Sequence, residues 1–568
     1  MPHHVTSSNP SATEPGTEND ATTEATSPPP SEESTTPVGA SSPPSDRTTL
    51  PQPGSPDRYA RSSGLTVVGS SGAVVLVEAT VGRASPNTGR VYLSGLPDSS
   101  VSQAETRTRA AMINSGLRFP DGDVTVNFGP ASVPTSGTSC DLAFACAIIC
   151  ASGMAPSRRL SDTAFIAELG LDGELRPVPG VLPALVAARD AGITNVVVAP
   201  HNAAEAQLID GMRIAAPSNL SMVAEWLRGT RQLPPPMKRT PEALPDLPDM
   251  ADLRGQKSGR QALEFAAAGG HHTFLQGPPG AGKTMLAERL PSILPPLSDE
   301  EALEVTSVHS LAGNLPAEGG LIRHAPFQAP HHTTTAPALI GGSNGSLLRP
   351  GAVPLAHRGV LFLDEAPEFK REVLDALRQP LESGEVVIHR ARHSARFPSQ
   401  VQLVLASNPC PCAVVKSSQC VCPGHTRRRY MARLSGPLMD RIDIRLQVPA
   451  VTARDIVGDH PKGESSAAIA HRVHEARRAA EHRWSAAGHS WRINGEVPGP
   501  QLRDSAWRQS YAVTALANRL LEKGTLSGRG YDRVLRLAWT SADLNGRTAP
   551  GKDDIATACD LRLGFPVS

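Results

Sequence analysis
The sequence predicts a multidomain α/β protein, on three observations. The chain has 568 residues, too many for one hydrophobic core and enough for three or four units. Short apolar runs that read as strands, among them Ala73–Thr80, Asn195–Pro200 and Val401–Ala406, alternate with stretches of helical spacing. A glycine-rich stretch from Gly277 to Thr284 follows the apolar run Thr273–Leu275, and about eighty residues later Val360–Leu363 runs into Asp364 and Glu365.

Taken in order, residues 1–60 are rich in Ser, Thr, Pro, Glu and Gly, with almost no large apolar side chains. Such a segment cannot bury enough surface to offset its ordering entropy, and a disordered, mildly acidic tail is expected. Residues 61–230 read as an α/β domain. Strands are expected at Thr66–Gly69, Ala73–Thr80 and Val124–Phe128, with helices over Gln103–Ser115 and the apolar, small-residue run Leu142–Ala151, and Asn195–Pro200 closes the α/β unit. Residues 231–250 form a Pro-rich linker to a core at 251–450. After Pro449 the chain turns Ala/Arg-rich at helical spacing, so 451–568 is expected to be a small helical domain.

The core carries the chemistry. Gly277, Pro278, Pro279, Gly280, Ala281, Gly282, Lys283 and Thr284 fit G-x-x-x-x-G-K-[ST] at every position. Glycines let backbone N–H groups close around phosphate oxygens, Lys283 reaches the β/γ-phosphates, and Thr284 faces Mg2+. The helix opening at Met285 adds its dipole to this anion site. The second apolar strand delivers Asp364 to the metal and leaves Glu365 where an attacking water is polarised. Together the motifs read as an ATPase using ATP and Mg2+.

Lys plus Arg number 55 and Asp plus Glu 55, so no global basic field advertises nucleic acid, and any such contact must be local. No stretch approaches eighteen consecutive apolar residues, and no basic-then-apolar signal opens the chain, which points to a cytoplasmic protein without a membrane span. Eight cysteines are too few for a disulfide scaffold. Four of them, Cys410, Cys412, Cys420 and Cys422, form two close pairs across a short loop, a set suited to tetrahedral Zn2+ or to a reduced, metal-free loop.

Further motifs follow one another in a fixed order: Gly255-Gln256, the two nucleotide motifs, Ala329-Pro-His-His-Thr333, Leu339-Ile-Gly-Gly342, Arg349–His357, Asn408-Pro-Cys-Pro-Cys412, Ser435–Asp443 and Leu526–Arg533. Over residues 62–568 the chain resembles the YifB/ComM family of magnesium-chelatase-like AAA+ ATPases. The resemblance implies a Lon-protease-like N-terminal domain of the ribosomal S5 domain 2 type, an AAA+ core with a parallel sheet, and a C-terminal helical lid. It also implies a hexameric ring, with DNA branch migration in natural transformation as the role attached to its best-known members.

The same resemblance suggests roles for single residues. Asn408, ending the strand Val401–Ala406, resembles a sensor that holds the attacking water or the γ-phosphate; the alternative is a plain strand-end turn. Arg441 resembles an arginine finger supplied to the neighbouring subunit, against an internal salt bridge with Asp440 or Asp443. Arg529 resembles a second sensor on a lid helix, with Arg533 one turn on, against a plain surface charge. Glu382–Arg396 reads as two strands around a turn and resembles a hairpin that lines the ring pore. His389, Arg390, Arg392 and His393 would then track DNA phosphates without reading sequence.

Two rival functions stand beside this reading. Ser139 falls where Lon-type enzymes carry a nucleophilic Ser, but Leu182 stands where their Lys base would be, and Ser139 then reads as structural. A magnesium-chelatase-like ATPase that remodels a protein or metal-insertion partner is the alternative to a DNA motor.

Overall fold
The computed structural model describes residues 59–83, 89–95, 98–130, 133, 138–237, 247–315, 320–344, 347–389, 394–414, 419–452 and 463–566. The expected tail lies outside these residues except for Tyr59 and Ala60, which already belong to the first strand, Tyr59–Val68. Arg390, Arg392 and His393 also lie outside them.

The N-terminal part is a seven-stranded mixed sheet. Its order is Val91–Ser94, Val124–Gly129, Ser71–Val81, Tyr59–Val68, Thr163–Ile166, Asn195–Val198 and Arg213–Ala215. Each face buries its own core. Along Thr163–Ile166, Phe165 packs with the helix Asp141–Ala151, whereas Ala164 and Ile166 pack on the other side with Leu182 and Leu185, as the two-residue strand period requires. All eleven residues of Asp141–Ala151 are buried, and the small side chains of Ala143, Ala145 and Ala147 let that helix lie close to the strands.

The middle part is a five-stranded, wholly parallel sheet in the order Phe327–Gln328, Val360–Leu363, Gln402–Ser407, Thr273–Gln276, Ile444–Gln447. Strands buried on both faces explain the unbroken apolar runs in the sequence. The C-terminal part consists of the helices Ser466–Ala486, Tyr511–Glu522, Gly528–Leu544 and Lys552–Leu563, with shorter turns between. They close around Trp484, which is fully buried and touches Trp491, Trp507 and Trp539 at centroid distances of 5.9, 4.7 and 5.9 Å. This is the expected mixed α/β class, with a parallel nucleotide-binding sheet between an α/β domain and a helical one.

Among the described residues, hydrogen bonds fasten the N-terminal part to the core at two places. The Glu205 carboxylate accepts from the Ser310 hydroxyl and from the Leu182 N–H at 2.7 Å. At the other, the Ser70 N–H and hydroxyl both donate to the carbonyl of Arg396, at 3.2 and 2.9 Å. Arg396 belongs to the hairpin Glu385–His389/Ser394–Pro398, whose pairing runs from Glu385 opposite Pro398 to His389 opposite Ser394.

Candidate functional site: a nucleotide-binding centre
Three adjacent parallel strands end on one edge of the core sheet, and each hands a motif to the same place. This is where ligands bind in open α/β sheets. The strand Thr273–Gln276 leads into the loop Gly277–Gly282 and the helix Lys283–Arg289. A Cβ on Gly277 would lie 2.4 Å from the Val448 carbonyl oxygen, and Gly282 has φ +85°, so neither position accepts an ordinary side chain without strain. The Lys283 ammonium uses its three donors on Gly277 O at 2.8 Å, Pro278 O at 3.0 Å and Asn408 Oδ1 at 3.0 Å. Burial lowers the pKa of Lys283 below its ordinary value, and the charges of Asp364 and Glu365 only partly restore it.

The Thr284 hydroxyl donates to Asp364 Oδ2 at 2.8 Å, and the other oxygen of that carboxylate accepts the Glu365 N–H, also at 2.8 Å. Two hard oxygen donors this close fit one Mg2+ that keeps its remaining places for water and phosphate. Glu365 itself has φ +50°, a left-handed conformation costing a non-glycine residue about 1–3 kcal/mol. The kink lets the chain leave the strand for the turn Ala366–Glu368 and aims the half-exposed Glu365 carboxylate at solvent. It borders a cleft of about 280 Å³, also lined by Thr284, Glu288, His331, His332 and Asp364. A larger cavity of about 840 Å³ lies elsewhere, between the N-terminal part and the core, where Asp190, Glu300 and Glu304 mix with Arg358 and Arg492. It contains none of the nucleotide motifs.

Asn408 follows the strand between the other two, and the Gly277 N–H donates to Ser407 O at 3.1 Å, which pins the loop to that strand end. The residue expected as a sensor thus touches the phosphate-loop lysine directly. The arginines are placed differently. The side chain of Arg441 is only 11% exposed; it donates to Pro437 O at 2.5 Å and pairs with Glu382, not with Asp440 or Asp443. Burial and the neighbouring charges of Arg378, Arg529 and Arg533 all lower its pKa. Arg529 is 76% exposed, with Asp440 at 3.8 Å. Arg533 lies inward, donating to Asp443 Oδ1 at 2.6 Å. Burial would raise the Asp443 carboxyl, but Arg533, His271 and His272 outweigh it and hold the group well below the usual carboxylate range. Arg533 is therefore a pin between the helical part and the core, and Arg529 is the one of the two that solvent reaches.

Of the hairpin residues singled out, His389 is exposed at the end of its strand. The four cysteines converge: Cys410, Cys412 and Cys420 place their sulfurs 3.4–3.6 Å from one another, and all four lie within 4.8 Å. In the N-terminal part Leu182 is wholly buried, and Ser139 lies beside a buried pair in which Arg107 holds Asp141 at 2.7 Å.

Two neighbours of Glu365 were not assigned from sequence. His332 Nδ1 is 3.6 Å from the Glu365 carboxylate, and its ring lies against His331 at 4.0 Å. Tyr430 is buried, and burial together with Glu368 and Glu365 pushes its phenol up to about 12. The His pair was visible as part of Ala329–Thr333, but nothing in the local pattern tied it to an acid thirty residues on. Tyr430 left no signal.

Three family matches fall along the chain. Residues 249–456 match the family described as magnesium chelatase, subunit ChlI; 77–202 match subunit ChlI of Mg-chelatase; and 463–562 match its C-terminal part. Similar whole proteins include an uncharacterized protein of Mycobacterium tuberculosis, 45% identical over 88% of this chain and 98% of that one. Competence protein ComM of Haemophilus influenzae is 37% identical over 89% of this chain and 96% of its own length. The uncharacterized protein YifB of Escherichia coli K12 is 37% identical over 84% and 92%. The chain belongs to the YifB/ComM family of magnesium-chelatase-like proteins. It is an AAA+ ATPase of that family, with ATP and Mg2+ as its cofactors. Among the described residues, no helix is long and apolar enough to cross a membrane.

Proposed function
We propose that the protein is a hexameric, ring-forming motor ATPase acting on single-stranded or branched DNA in the cytoplasm. The observation that carries the ring is Arg441. It is a largely buried guanidinium in a cluster of like charges, and its partners, Glu382 and Pro437, lie outside the nucleotide motifs of its own chain. An arginine kept cationic without serving its own site suits the site of the next subunit, where it would stabilise charge on the transferring phosphoryl group. In each subunit, Lys283 and the loop hold the phosphates, Thr284 and Asp364 hold Mg2+, Glu365 activates water, and Asn408 reports on the γ-phosphate through Lys283. Arg529, exposed on the lid helix, is assigned to the same nucleotide as second sensor.

DNA enters as the substrate through the hairpin. His389, with Arg390, Arg392 and His393 close after it in sequence, would give a ring-shaped basic contact in a protein of zero net charge. The relative named as a competence protein supports a nucleic-acid role, whereas the magnesium-chelatase family description favours a protein or metal-insertion partner. Zn2+ on the four thiols belongs to the same proposal as a structural ion, not as part of the hydrolytic reaction.

The deciding experiment measures ATPase activity with and without single-stranded and branched DNA, alongside native mass. The expected result is a hexamer whose turnover DNA stimulates. Arg390→Ala with Arg392→Ala should weaken DNA binding and flatten its salt dependence while basal turnover survives. Unchanged DNA affinity in that variant would overturn the pore assignment in favour of the chelatase-like reading. Arg441→Ala should lose turnover, and mixing it with Lys283→Ala subunits should restore some, because the two residues would act from different chains. No recovery in mixed rings would count against the finger.

A further inference from the structure
We infer that Cys410, Cys412, Cys420 and Cys422 bind one Zn2+, and that this ion holds the two sides of the hydrolytic site in register. The first half rests on geometry. In a tetrahedral site with Zn–S bonds of about 2.3 Å, neighbouring sulfurs lie about 3.8 Å apart. Here the separations are 3.4, 3.4 and 3.6 Å among Cys410, Cys412 and Cys420, with Cys422 inside the same 4.8 Å sphere. A disulfide needs about 2.05 Å, and all four are free thiols. Four sulfurs gathered at one point from two short segments are a donor set for a soft-ligand metal, and a closed set of four thiolates suits a structural zinc. Binding deprotonates the thiols, and the released protons pass to solvent.

The second half rests on what the two segments are joined to. On one side Cys410 comes two residues after Asn408, which accepts from Lys283 at 3.0 Å, and three after Ser407, which accepts from the Gly277 N–H at 3.1 Å. On the other, Cys422 precedes Pro423, whose carbonyl accepts the N–H groups of Thr426 and Arg427 at the start of the helix Gly424–Met431. Just past that helix Arg433 donates to Pro367 O at 3.1 Å and Glu368 Oε2 at 3.0 Å. Those acceptors lie on the turn that directly follows Glu365. The thiols therefore clamp the strand end carrying Asn408 to the helix that braces the turn behind Glu365. Core packing already joins Leu405, Phe369 and Leu434 beneath the site, but in the loop itself, among the described residues, Cys410 is the one buried cysteine of the four and Val421 between the last two is 92% exposed, so there the thiols and not apolar side chains hold the two segments together. The cysteines act as positioning residues and touch neither nucleotide nor water.

The metal half stands independently of the ATPase reading; the positioning half rests on it. Elemental analysis of the full-length protein, prepared without chelator, should find about one zinc per chain. Cobalt substitution should give the visible bands of a tetrahedral thiolate site. Cys412→Ser with Cys420→Ser should lose the ion, keep ATP affinity within a few-fold and lower kcat about 10-fold or more, since small misplacement of reacting groups is costly. Cys412→His, which keeps four ligands, should retain both ion and turnover. Stripping zinc from the wild-type protein and restoring it should lower and recover kcat, which covers the case of a double variant that does not fold. Absence of zinc, an intact mass two hydrogens light per cysteine pair, or zinc unaffected by the double substitution would overturn the site. Turnover that fails to follow zinc content across the series would overturn the positioning role.

Discussion

Replacing Asn408 by Ala tests the contact that joins the middle strand to the phosphate loop. Asn408 Oδ1 accepts from the Lys283 ammonium at 3.0 Å, while Gly277 O and Pro278 O supply two further acceptors. A hydrogen bond to a charged group contributes about 1.5–3 kcal/mol. If the Asn408 amide matters chiefly in the transition state, kcat should fall between about 10- and 150-fold. ATP affinity should change by no more than about threefold, because two acceptors still orient the lysine. Asn408→Asp should behave differently. A carboxylate 3.0 Å from the ammonium would hold Lys283 away from the phosphates, so affinity should weaken as well as turnover. Steady-state ATPase assays paired with direct nucleotide binding separate these cases. Full kcat in the Ala variant, or an affinity loss that accounts for the whole change in kcat/KM, would refute the sensing role and leave Asn408 as a ground-state contact.

Three other outcomes are expected. Lys283→Ala should abolish ATP binding in an equilibrium assay, whereas Glu365→Gln should bind ATP and stall; normal hydrolysis by the Gln variant would show that water is activated elsewhere. His332→Ala should lower turnover less than Glu365→Gln does, because the imidazole 3.6 Å away touches the carboxylate and not phosphate; an equal loss in steady-state assays would refute that supporting role. His272 gives a stability prediction. Burial pushes its pKa down to about 4, and its Nδ1 accepts the Leu403 N–H at 3.1 Å, so the folded protein holds it neutral. A base depressed in the folded state contributes stability that is present above its unfolded pKa of about 6.5 and lost as pH falls through about 4, on the order of 3 kcal/mol in all. Thermal melts between pH 7 and 4 should show that loss, and His272→Asn should shrink it; an identical acid slope in the variant would place the titrating group elsewhere.

The sequence alone determined the parts whose chemistry is local. A glycine at a close approach, a lysine and threonine at fixed offsets and an apolar run ending in two acids are each specified by a few adjacent residues. Gly277–Thr284 and Val360–Glu365 were therefore readable, as was the place of Asn408 on a strand between them. The ordered motifs likewise fixed the family and its mixed α/β class. Tertiary structure decided what depends on residues far apart in the chain. Arg441 turned to Glu382, about sixty positions away, and not to the adjacent acids, because the helix Arg378–Ser383 brings that carboxylate alongside. Arg533 went inward to Asp443 while Arg529 stayed in solvent, a choice set by which face of one helix meets the core. His332 and Tyr430 came to Glu365 from other strands and helices. Ser70 of the first hairpin reached Arg396 of another, tying the N-terminal part to the segment proposed to meet DNA. Side-chain pairing across such distances follows from how sheets and helices pack, and a linear pattern holds no record of it.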